Sequence, residues 1–417
     1  MNFNKAQLGA IEHKDGAMLV LAGPGSGKTA VITHRTKNLI TKHHVKPSEI
    51  LVITFTKAAA NEMKERFNSL MKDERVNVSF GTFHAVFFTI LKYAYRFTSA
   101  NIADESVRYG FIREILSYYR LEYKDENEFI GNLLAEISLI KNSRIDIENF
   151  YSGVCGEEIF RDIYKKYETR LKENRLIDFD DMLSYTYELF KERPDILALW
   201  QNKYKYILID EFQDFREYDY ELIMTLAKKL EDVVLVGDYH QHSVSATNNS
   251  GKPFKNKKGE VSYDDFVASI IKEGFTVDAS TLAKSRRCSI DICDYVSQKL
   301  GIEIASNGDH SGVVKWIDDD PSSVLDENRI IKLVFREAGK YSFPALNWSY
   351  SKGDTVDSAC VILTDELDNL DGDKFDPDRI RPSTLNKLYV AMTRSRGDLY
   401  LMKASIFKAI RDSYITK

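Results

Sequence analysis

The chain has 417 residues, 43% hydrophobic and 29% charged, with a formal net charge of −5. This size suggests about two to four domains of ordinary globular composition. The charge argues against a uniformly basic nucleic-acid coat but leaves room for a local basic groove. No apolar run approaches the ~18 residues of a membrane span, so no membrane partner is expected. The stretch MNFNKAQLGAIEHKDG lacks the apolar core of a signal peptide. Cys155, Cys288, Cys293 and Cys360 form no CxxC pair. Neither a disulfide framework nor structural zinc is therefore expected, and a cytoplasmic setting fits.

The first informative stretch is LVLAGPGSGKTAV, residues 19–31. An apolar strand runs into a glycine-rich loop, and Lys28 and Thr29 open the next helix. Ala22, Gly23, Pro24, Gly25, Ser26, Gly27, Lys28 and Thr29 together suit a phosphate-binding loop. Gly25 and Gly27 let backbone N–H groups turn inward, Lys28 supplies positive charge, and Thr29 can hold Mg²⁺. The strict pattern has glycine where this chain has Ala22.

Short aliphatic runs at 17–21, 50–54, 206–209 and 233–236 read as buried parallel strands, each followed by polar residues. Open α/β sheets place their ligand crevice at such strand ends. Residues 1–85 and 178–275 thus read as one α/β domain, interrupted by a helical insertion over 86–177. Its aromatic residues suit core packing. Residues 276–417 read as a second α/β domain, with a strand at 359–363, a helix at 382–394 and a closing strand at 398–402. The junction 246–262 is a polar loop carrying Lys252, Lys255, Lys257 and Lys258. A solvated loop is the default reading there, and contact with nucleic-acid phosphates the alternative.

In YILIDEFQD, 206–214, a strand delivers Asp210 and Glu211 to its C-terminal end. One carboxylate can serve Mg²⁺ and the other can polarise an attacking water, which assigns Asp210 to the metal and Glu211 to general base. The next strand ends in VGDYHQ, where Gln241 can sense a γ-phosphate as a neutral hydrogen-bonding group.

Taken in order, these segments resemble the UvrD/Rep/PcrA-like helicases of superfamily 1. Gln7 in FNKAQLGAI resembles the adenine-reading Q motif, AGPGSGKT the phosphate loop, and TFTKAAANEMKER motif Ia. GTFH resembles the DNA-contact motif that follows, and IDFDDML the family's LDFDDLL. DEFQD is similar to motif II, GDYHQ to motif III, LAKSRRC to motif IV, SYSKGDTVD to motif V and LYVAMTRSR to motif VI. The resemblance implies an α/β fold of two RecA-like P-loop NTPase domains with ATP and Mg²⁺ between them. Arg287 and Arg394 would reach the γ-phosphate from the second domain as arginine fingers, with Arg286, Lys352 and Gly353 also at the nucleotide. Phe55, Thr56, Thr82 and His84 would meet single-stranded DNA, Phe55 as a stacking platform or, alternatively, as a core residue.

The chain departs from the family pattern at several points. Ala30 replaces an arginine, and Arg286 replaces the adenine-stacking tyrosine. HSVSATNN replaces the aromatic continuation of motif III, and Ser349 and Thr355 replace the histidine and glutamate of motif V. Only about 60 residues lie between Arg287 and Lys352, too few for a domain of ~100 residues. Two functions are therefore expected to compete. One is a DNA-dependent ATPase or helicase moving 3′ to 5′ on single strands, or at junctions with duplex, by closing and opening the nucleotide cleft. The other is an ATP-hydrolysing DNA sensor that regulates a nuclease or other subunit, by analogy with Gabija-like defence modules. A P-loop kinase would leave GTFH, DEFQD and YVAMTR unexplained.

Overall fold

The computed structural model describes residues 3–416 apart from residues 4, 14–15, 73–75, 144, 216, 228, 230–232 and 242–262. The lysine-rich loop with Lys252, Lys255, Lys257 and Lys258 lies outside the described residues, as does the HSVSATNN segment.

The first unit is built on a six-stranded sheet. Its strands are β1 (Met18–Ala22), β2 (Ile50–Thr54), β3 (Ser79–Thr82), β4 (Tyr206–Ile209), β5 (Val233–Gly237) and β6 (Thr276–Leu282), in spatial order β3-β2-β4-β5-β1-β6. Every neighbouring pair is parallel. Alternate residues of the central strands face opposite cores. Leu19, Leu21, Leu51, Ile53, Ile207, Ile209 and Leu235 enter one cluster, while Val20, Val52, Leu208, Val234 and Val236 enter the other. Burial on both faces explains why these strands are near-continuous apolar runs. Strand β6 extends the sheet past residue 275, where the first domain is expected to end. Its sequence TVDASTL is half polar and lies largely exposed at an edge, so it carries no apolar-run signal.

Between β3 and β4 the chain is helical. Helices Glu105–Leu116, Glu126–Ser143 and Glu157–Glu173 bury their own cluster around Ile112, Leu133, Ile137, Phe160, Ile163 and Tyr167. The helix Phe179–Glu192 then returns the chain to the first sheet by packing on helix Phe83–Tyr95.

The second unit carries a parallel sheet of β7 (Val314–Ile317), β8 (Ile330–Val334), β9 (Ala345–Asn347), β10 (Ser358–Ile362) and β11 (Leu399–Met402), in order β9-β8-β10-β11-β7. Its two faces also bury separate clusters, one around Leu333, Val361 and Leu401, the other around Val334, Cys360 and Met402. Two parallel-sheet units and an all-helical insertion make up the two-RecA-like architecture that the motifs imply. No helix among the described residues is long and apolar enough to cross a membrane.

Candidate active site

The phosphate loop joins β1 to helix Lys28–Thr41. Gly25 has φ 65° and Gly27, at the helix N-cap, φ 94°. Both angles are left-handed, where a Cβ is disfavoured. The loop is stitched to the strand and turn that follow: Gly23 N donates to Leu282 O at 2.7 Å, and Arg286 N donates to Gly25 O at 3.1 Å. Gly25 is obligatory for a second reason, since a Cβ there would lie 2.5 Å from Arg287 Cβ. Ser26 Oγ is buried with no hydrogen-bond partner among the described residues. Such a hydroxyl costs about 1–3 kcal/mol unless something polar meets it. An orphaned donor inside a left-handed glycine loop at a helix N-terminus fits an anionic phosphate ligand. Gln7 is buried at the same place and donates from Nε2 to Ser26 O at 3.3 Å.

Strand β4 ends opposite this loop. Asp210 is buried, and its N–H donates to Ile53 O at 2.9 Å, which fixes it at the sheet's C-terminal edge. Burial and the adjacent Glu211 push the Asp210 carboxyl above the ordinary carboxylate range. A buried acid of this kind, close enough to Lys28 of the phosphate loop to feel its charge, suits a hydrated divalent cation. Glu211 is held at φ 58°, ψ 39°, a conformation costing roughly 1–2 kcal/mol for a residue with a side chain. The bend turns its carboxylate toward Lys28 Nζ at 3.8 Å and Lys352 Nζ at 3.4 Å. Burial disfavours the Glu211 charge, but the two lysines outweigh it and hold the carboxyl below its ordinary value.

Lys352 comes from the second unit, so the two sheets meet across this carboxylate. Its ammonium also pairs with the fully buried Asp214. The motif V lysine therefore rests on the carboxylates of motif II. Gly353 follows it in an exposed turn with φ 92°.

Arg287 lies on the phosphate loop and donates from Nη1 to Thr393 O at 3.1 Å. Arg394 is 1% exposed. Its guanidinium is held by the carbonyls of Val390 at 2.8 Å, Ser351 at 3.4 Å and Asp354 at 3.5 Å. Burial and the neighbouring Arg287 both work against the Arg394 charge. Two neighbouring guanidiniums, one of them on the phosphate loop, suit an anionic ligand. Gln241 is buried and donates to Asp238 Oδ2 at 2.8 Å. Arg286 is turned outward, with Nε 3.7 Å from Asp309 Oδ2. The structure thus joins Gln7, the phosphate loop, Asp210, Glu211, Lys352, Arg287 and Arg394 in one cluster of neighbouring side chains.

The remaining residues line the strand ends of the first sheet. Phe55, after β2, is 47% exposed. The hydroxyls of Thr56 and Thr82 are engaged as helix N-caps, accepting from Ala59 N at 3.1 Å and Ala85 N at 3.3 Å. His84 lies in the first turn of the helix that Thr82 caps, with its ring centroid 5.9 Å from that of Phe179. Phe179, 50% exposed, was not singled out from the sequence. The available signal was an aromatic side chain inside the acidic capping segment IDFDDML, where no core residue was called for. Asp214, Asp238 and Tyr389 join the cluster through the pairs Lys352–Asp214 and Tyr389–Asp238, which are distant in sequence and leave no local signal.

A family model described as the UvrD/REP helicase N-terminal domain matches residues 3–243. The chain is 36% identical over 245 residues to the ATP-dependent DNA helicase PcrA of Bacillus subtilis (strain 168), covering 57% of this chain and 33% of that protein. It is 33% identical over 249 residues to the PcrA of Staphylococcus aureus (strain NCTC 8325 / PS 47), covering 58% and 33%. The chain thus spans about a third of the length of these curated relatives. Among solved structures, the Arterivirus nonstructural protein 10 (helicase) with DNA superposes with a TM-score of 0.40 at 12% identity, covering 96% of this chain and 63% of that one. That superposition is too loose to carry an argument.

Proposed function

This chain belongs to the UvrD/REP helicase family, and on that premise we propose that it is a DNA-dependent ATPase that moves 3′ to 5′ along single-stranded DNA. The observation that carries the reading is the convergence of charged side chains from both units around Glu211 and the phosphate loop. Lys28, Asp210 and Glu211 come from the first, and Lys352, Arg287 and Arg394 from the second. Lys28 and the N–H groups of residues 23–29 would bind the β- and γ-phosphates, and Thr29 and Asp210 would hold Mg²⁺. The metal, when bound, neutralises charge that develops on the phosphates. Glu211 would orient and deprotonate the attacking water. A triphosphate drawing Lys28 to itself would weaken one of the two ion pairs on Glu211 and raise its basicity. Arg287 and Arg394 would stabilise the charge on the transferred group, and Gln241 would sense it as a neutral donor. Gln7 is assigned to the base of the nucleotide, and Arg286 would join it only by leaving Asp309.

The DNA path is assigned to the exposed Phe55 and Phe179 with His84, while Thr56 and Thr82 would contribute backbone positions more than hydroxyls. Stacking on these rings suits sequence-independent binding of unpaired bases. ATP hydrolysis measured beside strand displacement on 3′ and 5′ overhangs tests the assignment. DNA-stimulated hydrolysis with displacement from the 3′ overhang is expected.

A second reading is favoured by one observation. Between Arg287 and Lys352 the chain passes through helix Ile290–Leu300 and strands of the second sheet, with no inserted domain. In this reading the chain hydrolyses ATP as a DNA-sensing subunit of a larger complex, with a nuclease as one candidate partner. DNA-stimulated hydrolysis without displacement on either overhang would select it.

A further inference from the structure

Asp238 follows β5 and is buried, 2% exposed. Two donors converge on its Oδ2: Gln241 Nε2 at 2.8 Å from the first unit and Tyr389 Oη at 3.1 Å from the second. The Asp238 N–H donates to Gln213 Oε1 at 3.0 Å, and Gln213 Nε2 donates in turn to Glu211 Oε2. Gly237 makes this approach possible, since a Cβ there would lie 2.5 Å from Gln213 Oε1. A continuous chain of hydrogen bonds therefore runs from Glu211 through Gln213 and Asp238 to Tyr389. Tyr389 sits on helix Pro382–Met392, which leads directly into Arg394.

Tyr389 is 1% exposed and packs within the apolar cluster of the second unit. A phenylalanine would fill that space without a polar group to desolvate, whereas the hydroxyl is tolerated in a core because it meets a carboxylate. We propose that Tyr389 is a positioning residue. Its hydroxyl anchors the Asp238 carboxylate, which in turn sets where the Gln241 amide points, so that the placement of the second unit's helix Pro382–Met392, which leads into Arg394, is felt at the first unit's γ-phosphate sensor. The inference rests on the reading of the cleft as an ATPase site.

A kinetic double-mutant cycle tests it, with Tyr389→Phe and Gln241→Ala made singly and together. Loss of one hydrogen bond to a buried carboxylate should lower kcat about tenfold in Tyr389→Phe, with KM for ATP changed less than about twofold. In the Gln241→Ala background the same change should cost less than about twofold more, because the hydroxyl then has no sensor to position. Asp238→Asn, which keeps the side chain's shape, provides a second arm and should be equally non-additive with Gln241→Ala. Wild-type kcat in Tyr389→Phe, or losses that multiply in the double variants as general damage would, overturn the inference while leaving the ATPase reading intact. A wild-type protein that hydrolyses no ATP, with or without single-stranded DNA, overturns the reading and the inference together.

Discussion

Lys28 and Lys352 approach Glu211 from opposite units, at 3.8 Å and 3.4 Å, and each side chain is largely shielded from water. Shielding makes these pairs worth more than surface ion pairs, and makes removal of one member costly for the others. Lys28→Ala should abolish ATP turnover, with nucleotide binding lost in a fluorescent-ATP titration. Glu211→Gln should still bind ATP while kcat falls about a hundredfold or more, the usual worth of a general base. Arg394→Ala should lower kcat by about a thousandfold at saturating ATP. It should also lower the melting temperature, because the carbonyls of Val390, Ser351 and Asp354 lose their buried donor. If ATP affinity falls and saturated turnover holds, Arg394 is a structural clamp and not a finger. Lys28, Asp210 and Glu211 were legible in sequence because each follows an apolar strand at a fixed offset. The Lys352–Asp214 pair was not, because 138 residues separate the partners and only the folded chain brings them together.

At the scale of elements, IDFDDML illustrates what a motif match leaves unsaid. Asp178 and Asp181 cap the helix Phe179–Glu192 reciprocally, with Asp181 N donating to Asp178 Oδ1 at 2.9 Å and Asp178 N to Asp181 Oδ2 at 3.0 Å. The same two carboxylates take the buried Lys141 ammonium of helix Glu126–Ser143 at 2.9 Å and 2.7 Å. Tyr167 Oη also donates to Asp178 Oδ2 at 3.0 Å. The segment is thus the charged pin between the helical insertion and the first sheet, and it leaves only Phe179 facing out. Burial opposes the Lys141 charge, but Asp181, Asp178 and Glu168 outweigh it and hold its pKa well above the ordinary lysine value. Lys141→Ala leaves carboxylates buried without their cation and should cost about 3–5 kcal/mol, read as a shift of the urea midpoint. A change under ~1 kcal/mol, the scale of a surface ion pair, would place the pin elsewhere. Strands were legible where the sheet buries both faces, as in β2, β4, β5 and β10. The partly exposed β3, β6, β7 and β9 lack a continuous apolar run and were not seen, nor was β8, where Lys332 interrupts the run IIKLV.

At the scale of the whole molecule, the two units are joined at the residues proposed to hydrolyse ATP. Lys352 reaches Glu211 and Asp214, Tyr389 reaches Asp238, and Arg287 rests on Gly25. Any shift of the second sheet must therefore disturb the contacts at Glu211, Asp238 and the phosphate loop together. The two-sheet plan was legible because ten short motifs occur in order. The joining contacts were not, because none is local. The most direct test of the account is the steady-state rate of ATP hydrolysis with and without an oligo-dT strand, for the wild type and Glu211→Gln. The account predicts slow hydrolysis that single-stranded DNA accelerates many-fold and that Glu211→Gln abolishes in both conditions. A rate indifferent to DNA, or one that survives in Glu211→Gln, would contradict it.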